Sequence, residues 1–262
     1  FAAILADGSV VAWGPFGDCS AVQDKLRHVQ QIAATGTAFA ATLADGSVVC
    51  WGNASDGGDC SAVQHQLRNV QQIQATGCAF AALLADGSVV AWGDPNYGGD
   101  CSTVQDQLRN VQQIEAAGSA FAAILADGSV VSWGHPSRGG DSSKVRDRLR
   151  TVQKVQAADC AFSAILADGS LIIWGYTCQP FIGGNWSAVQ DQLKNARQIQ
   201  SMGSTFLAIL ADGSVVAWGD PDDSEDWTEV QDQLVGVKEI KSTAVGAFAA
   251  ILADGSVVTW GE

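Results

Sequence analysis

The sequence predicts an all-β fold: a seven-bladed β-propeller with about three strands per blade and short helical turns between blades. Two observations carry this prediction. Seven copies of a phrase close to LADGSVVAWG follow one another, and their Trp-Gly pairs lie 38 to 44 residues apart. A period near forty residues is typical of propellers and solenoids. Each copy also predicts a β-hairpin, which parallel β-helices and leucine-rich solenoids lack, so the propeller is favoured.

Each hairpin is predicted from two apolar runs that flank an Asp-Gly pair. In one copy, AFAALLA and SVVAWG lie on either side of Asp86-Gly87. Asp and Gly tolerate the positive φ angles of a two-residue type I′ turn. The runs are apolar at nearly every position, which indicates sheets covered on both faces. The predicted hairpins span 1–14, 38–52, 79–93, 120–134, 161–175, 205–219 and 247–261.

The segments between hairpins predict a short helix and a third strand. Val63, Leu67 and Val70 have helical spacing, and Ser61 with Gln64 matches a capping box. VQQI then predicts a strand whose glutamines would face a hydrated central channel. Seven hairpins have only six such connectors, so the first blade is expected to lack its inner strand. We expect one propeller domain over 1–262, belonging to a longer chain.

The repeated pattern AFAAxLxDGxVxxWG, followed by a loop ending in Gly-Gly, resembles the repeat of the regulator of chromosome condensation family. The resemblance covers essentially the whole chain and implies a seven-bladed β-propeller. The short period is similar to the compact repeat of a secreted β-lactamase-inhibiting propeller with three-stranded blades. HECT-type ubiquitin ligases carry repeats of the same family.

Composition and charge exclude several classes of function. A formal net charge of −14 argues against direct binding to nucleic acid. No apolar run is long enough to span a membrane. The seven cysteines contain no CxxC pair, so we expect neither a disulfide framework nor a metal site. Free thiols favour a reducing compartment, cytoplasmic or nuclear. We expect a monomer without cofactor or metal.

No catalytic site is predicted. The three histidines share no repeat position, and the chain has no P-loop, G-x-S-x-G or G-x-G-x-x-G motif. The tryptophans of the Trp-Gly pairs occupy the same position in every copy, which packing requires. The ring of Asp-Gly carboxylates is explained by turn formation.

The segments that follow the Trp-Gly pairs are the candidate binding surface. They read PFG, NASDGG, DPNYGG, HPSRGG, YTCQPFIGGN and DPDDSED, while the scaffold around them is nearly copied. Equivalent loops of a propeller share one face, and exposed aromatic and Arg side chains are typical binding anchors. The longest loop, 176–185, is the first place to test. The candidate partner-binding residues are Phe16, Tyr97, His135, Arg138, Tyr176, Phe181, Trp186 and Trp227.

The sequence thus predicts a non-catalytic module that binds a protein partner. Three alternatives stay open: the substrate-recruiting domain of a HECT-type ubiquitin ligase, an enzyme inhibitor or secreted binder, and a guanine-nucleotide exchange factor for a small GTPase. A neighbouring domain with an active-site cysteine would favour the first, and a signal peptide the second. No residue identifies a GTPase contact.

Overall fold

The computed structural model describes residues 1–175, 189, 192–202, 205–218, 225–242 and 247–261. Over these residues, twenty strands form seven antiparallel sheets, one with two strands and six with three. In each three-stranded sheet the strand that is second in sequence lies in the middle. The all-β prediction is confirmed, and the first sheet along the chain is the one with two strands.

The strands keep the same order in every repeat. They are β1 (Ala2–Ile4), β2 (Val10–Ala12), β3 (Val29–Ala34), β4 (Ala38–Leu43), β5 (Val48–Gly52), β6 (Val70–Ala75), β7 (Ala79–Leu84), β8 (Val89–Gly93), β9 (Val111–Ala116), β10 (Ala120–Leu125), β11 (Val130–Gly134), β12 (Val152–Ala157), β13 (Ala161–Leu166), β14 (Leu171–Gly175), β15 (Ala196–Met202), β16 (Thr205–Leu210), β17 (Val215–Trp218), β18 (Val237–Ser242), β19 (Phe248–Leu252) and β20 (Val257–Trp260).

The helical elements are short and lie between the sheets. An α-helix spans Glu225–Val230, and 3₁₀ turns span Ser20–Lys25, Ala54–Asp56, Pro95–Tyr97, Ser102–Val104, Pro136–Arg138 and Gln231–Gln233.

The chain forms two compact units. One contains residues 1–126 and 131–136, and the other contains residues 127–130 and 137–262. Strands β1 to β10 lie in the first unit, and β12 to β20 in the second.

The hairpin loops differ from the predicted two-residue turn. Between β7 and β8, the Gly87 N–H donates to the Leu84 carbonyl, and the Leu84 N–H donates to the Ser88 carbonyl. The loop therefore has three residues, 85–87. Gly87 has φ +78°, whereas Asp86 is not among the residues with positive φ. This is a turn closed by a left-handed glycine, the bulged form of hairpin loop.

Aromatic pairs fill the space between successive sheets. Phe80 on β7 stacks on Trp92 of β8 with ring centroids 5.2 Å apart, and both side chains are buried. They pack against Ala38 and Ala40 of the preceding sheet. The Trp92 Nε1–H donates to the Gly57 carbonyl at 3.0 Å. Trp133 and Trp174 make the same bond to Gly98 and Gly139.

Glutamines on the inner strands bridge to the next sheet. The Gln72 Nε2–H donates to the Ile114 carbonyl at 3.3 Å, and its Oε1 accepts from the Ile114 N–H at 3.4 Å. Gln198 donates to the Ile240 carbonyl at 3.4 Å. These side chains therefore supply hydrogen bonds between two neighbouring sheets. The hypothesis that the glutamines face a hydrated channel did not predict this role.

The predicted capping box is wrong. The Ser61 N–H is held instead by the Asp59 carboxylate at 2.9 Å. The Gln64 side chain donates to the Val48 carbonyl, on the outer strand β5, at 3.0 Å. Gln23 and Gln105 make the same bond to Val10 and Val89. The connectors therefore satisfy part of the exposed strand edge, which would otherwise be free to pair with another chain.

The expectation that no disulfide forms is also wrong. Cys50 and Cys60 are disulfide-bonded, with Cα atoms 6.1 Å apart, a usual separation for such a bond. The bond joins the outer strand β5 to the start of the following connector. Four other cysteines of the described residues are free: Cys19, Cys78, Cys101 and Cys160.

Candidate partner-binding surface

The variable loops rest on the turns between inner and middle strands. The Asn53 N–H donates to the Thr37 carbonyl at 3.0 Å, and the Asp94 N–H donates to the Cys78 carbonyl at 2.9 Å. The His135 N–H makes the matching bond to the Ser119 carbonyl at 2.9 Å. In these three repeats, the start of the loop and the neighbouring strand turn thus form one end of a sheet.

Loops 53–59 and 94–100 have the same backbone conformation although their sequences differ. The Asn53 side chain accepts from the Ser55 N–H, and the Asp94 side chain accepts from the Asn96 N–H. Each cap starts a 3₁₀ turn that ends at a left-handed glycine, Gly57 with φ +100° or Gly98 with φ +91°. Because caps and glycines fix the backbone, the side chains between them are free to vary.

A chain of backbone bonds links the strand turns of three neighbouring sheets. The Gly36 N–H donates to the Gly77 carbonyl at 3.0 Å, and the Gly77 N–H donates to the Gly118 carbonyl at 2.9 Å. A Cβ on Gly77 would lie 3.2 Å from the Gly118 oxygen and 3.3 Å from the Tyr97 ring. The turns therefore form a continuous surface in the first unit.

The Asp56 carboxylate is a shared hydrogen-bond acceptor on this surface. It accepts from the Thr37 hydroxyl and, at 2.9 Å, from the Asn53 amide. The Cys78 thiol lies near enough to feel the charge of the Asp56 carboxylate. Burial, followed by the carboxylates of Asp56 and Asp94, raises the pKa of Cys78. The thiol therefore stays protonated at neutral pH, which disfavours nucleophilic chemistry.

The predicted binding residues of the first unit lie on three loops. Phe16 is 46% exposed. Tyr97 is half-buried, with its ring beside Gly77 and its carbonyl accepting from the Thr76 hydroxyl at 2.9 Å. His135 is half-buried directly after β11. Of these three, Phe16 presents the most side-chain surface, and Tyr97 also packs against the core.

In the second unit, Arg138 and Trp227 differ in their surroundings. Arg138 is exposed. Burial raises the pKa of the Cys160 thiol, and the positive charge of Arg138 opposes this shift. Trp227 lies in the Glu225–Val230 helix and packs edge-on against Trp260, with centroids 6.2 Å apart. Trp227 therefore contributes to packing. Tyr176, Phe181 and Trp186, with loop 176–185, lie outside the described residues.

Sequence reasoning missed the grouping of Thr37, Asp56 and Cys78. The position that follows each strand-turn glycine changes from Thr37 to Cys78 to Ser119 within a nearly copied repeat. The same rule that singled out the loops, variation inside a constant scaffold, could have found it. The grouping itself depends on the adjacency of two sheets and is visible only in the structure.

Two properties of the described residues bear on function. They contain no group of three His, Cys, Asp or Glu side chains that could hold a metal ion. Within the same residues, no helix is both long and apolar enough to cross a membrane.

Comparisons with solved structures show the propeller fold. The ectodomain of the Physcomitrella patens receptor kinase CR4 matches with a TM-score of 0.55 and 15% identity, over 88% of this chain and 62% of that chain. Prp20p from Saccharomyces cerevisiae matches at 0.53 and 18%, over 94% and 74%. Human WBSCR16 matches at 0.52 and 18%, over 90% and 79%. This chain thus spans less than two thirds of the CR4 ectodomain.

No protein-family profile matches the sequence. No curated protein sequence matches it either. The match to Prp20p, the yeast RCC1, agrees with the repeat resemblance at the level of the fold: an RCC1-like propeller of seven blades.

Proposed function

We propose that the chain is a non-catalytic interaction module that binds a protein partner through the loops following its Trp-Gly pairs. The observation that carries the proposal is the pair of loops 53–59 and 94–100, which present different side chains on the same backbone. A constant scaffold with variable, capped loops is the usual arrangement of a binding surface. The proposed module acts as a monomer, without nucleic acid or membrane.

The geometry of these loops supports binding in two ways. Asx caps and left-handed glycines hold the loops in place, so little conformational entropy is lost when a partner docks. The hydroxyl, amide and carboxylate groups around Asp56 supply directional contacts and negative charge. Such contacts contribute specificity more than raw affinity. The partner that fits this surface offers hydrogen-bond donors and basic side chains.

The fold neighbours are consistent with this function. Yeast RCC1, Prp20, has been solved with Kap60 bound, and Prp20p is described together with its binding properties to Gsp1p and histones. A catalytic role has less support, because burial is the leading cause that raises the pKa of the Cys78, Cys101 and Cys160 thiols. A raised pKa removes the thiolate that a cysteine nucleophile needs.

A secreted or extracytoplasmic binder is the second candidate. The Cys50–Cys60 disulfide favours it, because disulfides persist in oxidising compartments. The cytoplasmic or nuclear location predicted from free thiols fits this bond less well. For the ubiquitin-ligase and exchange-factor alternatives, the described residues offer no specific contact.

A loop exchange tests the proposed function. One variant carries Pro-Asn-Tyr in place of residues 54–56, and a second carries Ala-Ser-Asp in place of residues 95–97. Because both loops keep their Asx caps, Asn53 and Asp94, the exchange is expected to keep the fold and change the partners captured in quantitative affinity purification. A third variant replaces 176–185 with a Gly/Ser linker. The triple substitution Asp45→Asn, Asp86→Asn and Asp127→Asn in the hairpin loops serves as control.

The expected result is loss of at least one captured protein from a loop variant and full retention by the control. If all three loop variants capture the same proteins as the wild type, with unchanged melting temperatures, the loops are not the binding surface.

A further inference from the structure

The Cys50–Cys60 disulfide closes a ring around one variable loop. Cys50 lies in β5, two residues before Gly52, and Cys60 follows Asp59 directly. Loop 53–59 therefore has both of its ends fixed by one covalent bond. The loop carries Asp56, whose carboxylate accepts hydrogen bonds from Thr37 and Asn53.

The next repeat offers the same geometry without the bond. Ala91 in β8 and Cys101 after loop 94–100 are also ten residues apart. Cys101 is buried, and its thiol donates a hydrogen bond to Gln105 Oε1 at 3.1 Å. The two loops share the positions of their Asx caps and left-handed glycines, so their backbones differ chiefly in covalent closure.

An open groove gives access to the disulfide. It has a volume of about 780 Å³, and its lining includes Lys25, Asp59 and Gln64 beside the two cysteines. The two cysteines are only slightly exposed, Cys50 at 9% and Cys60 at 5%. A small thiol therefore reaches the bond through this groove, whose lining carries one cation, the Lys25 ammonium, and one carboxylate, Asp59.

We propose that Cys50–Cys60 is a thiol–disulfide exchange site that controls the order of loop 53–59, and with it partner binding. The inference about binding rests on the function proposed above. The thiolate of a low-molecular-weight thiol attacks one sulfur, and the other cysteine leaves as a thiolate that takes up a proton. A second thiol resolves the mixed disulfide. The protein gains two thiols, and the small thiol is oxidised to its disulfide.

The physical consequence follows from loop entropy. While the bond is intact, the loop samples few conformations and presents Asp56 in one arrangement. After reduction, only the Asn53 cap, the neighbouring backbone bonds and the Asp56 contacts hold it. Ordering one or two side chains on binding costs enough to weaken affinity by about tenfold.

The test compares the two matched loops in the full chain. Protein purified without reductant is treated with iodoacetamide before and after incubation with reduced glutathione, and alkylation is located by mass spectrometry. Amide hydrogen exchange is measured in both states. We expect Cys50 and Cys60 to be alkylated only after reduction, and exchange to accelerate in 53–59 while 94–100 stays unchanged.

Two variants make the comparison reciprocal. Cys50→Ala introduces the residue found at Ala91 and should give loop 53–59 fast exchange in either state. Ala91→Cys, oxidised with glutathione disulfide, should pair with Cys101 and slow exchange in 94–100. This second variant keeps the test decisive if the first fails to fold.

Two results would overturn the proposal. One is alkylation of Cys50 and Cys60 before any reductant is added. The other is hydrogen exchange in 53–59 that does not respond to reduction. Neither measurement needs a partner, so failure here is distinct from failure of the loop exchange described above.

Discussion

At the scale of single residues, the position before each inner strand is the most constrained. His28, Asn69, Asn110, Thr151 and Asn195 all have φ between +53° and +63°. Each follows a connector and lies against the glycine of the preceding hairpin loop; a Cβ on that glycine would be at most 3.0 Å from its Cα. Asn tolerates this left-handed conformation, whereas a β-branched residue does not.

Thr151 is therefore predicted to be a strained residue. Thr151→Asn should stabilise the protein by about 1 kcal/mol, because Thr has the β-branched side chain least suited to φ +57°. The exposed side chain has no core contacts to lose. Urea denaturation measures the difference. Asn110→Thr is the reciprocal variant and should destabilise by a similar amount. A Thr151→Asn protein no more stable than the wild type contradicts the assignment of strain.

At the scale of elements, the inner strands are stabilised by their neighbours as well as by their own sheet. Gln72 forms two bonds to the backbone of Ile114, a buried residue of the next sheet. Gln71, its neighbour on β6, is exposed. Adjacent residues of one strand thus have different roles: Gln72 bridges two sheets and Gln71 faces solvent.

Removal of the Gln72 side chain should weaken this bridge. Gln72→Ala is expected to cost about 1–3 kcal/mol, because the backbone groups of Ile114 lose both partners. Gln72→Glu should recover little, since a carboxylate cannot donate to the Ile114 carbonyl. Gln71→Ala is the matched control and should leave stability within about 0.5 kcal/mol of the wild type. Equal losses in Gln71→Ala and Gln72→Ala, measured by urea denaturation, would show that the bridge contributes nothing.

Distance along the chain separates what the sequence predicts from what it does not. The hairpins were predictable because Asp-Gly and its flanking apolar runs are neighbours. Gln72 and Ile114 are 42 residues apart, and Gln64 and Val48 are 16 apart, so no local pattern reveals either bond. The loops were found from their variability. Their link through Asp56, Thr37 and Cys78 requires two sheets to lie side by side.

At the scale of the whole molecule, repetition multiplies small electrostatic effects. Within the described residues, hydrogen bonds from the serine two positions later lower the pKa of eleven aspartates. In the seven hairpin loops, the largest cause is the serine hydroxyl. Each carboxylate is exposed, so each contributes little. Their sum makes stability depend on pH.

The direction of this dependence is set by the folded-state pKa values, which lie below the ordinary 3.8. The folded protein therefore binds fewer protons than the unfolded chain at acidic pH. The stabilising contribution is fully present above the unfolded pKa and is lost as pH falls through the folded values. We expect the melting temperature to drop between pH 4 and pH 2, in a pH titration followed by circular dichroism.

Replacement of hairpin aspartates should reduce this acid sensitivity. In the triple variant Asp45→Asn, Asp86→Asn and Asp127→Asn, the amide oxygen still accepts from the serine N–H but does not titrate. The variant should lose less melting temperature than the wild type from pH 7 to pH 2. A control with Asp24→Asn, Asp106→Asn and Asp232→Asn removes the same net charge outside the hairpin loops and should keep the wild-type loss. If both triple variants change the acid response equally, net charge rather than the repeated Asp–Ser bond governs acid unfolding.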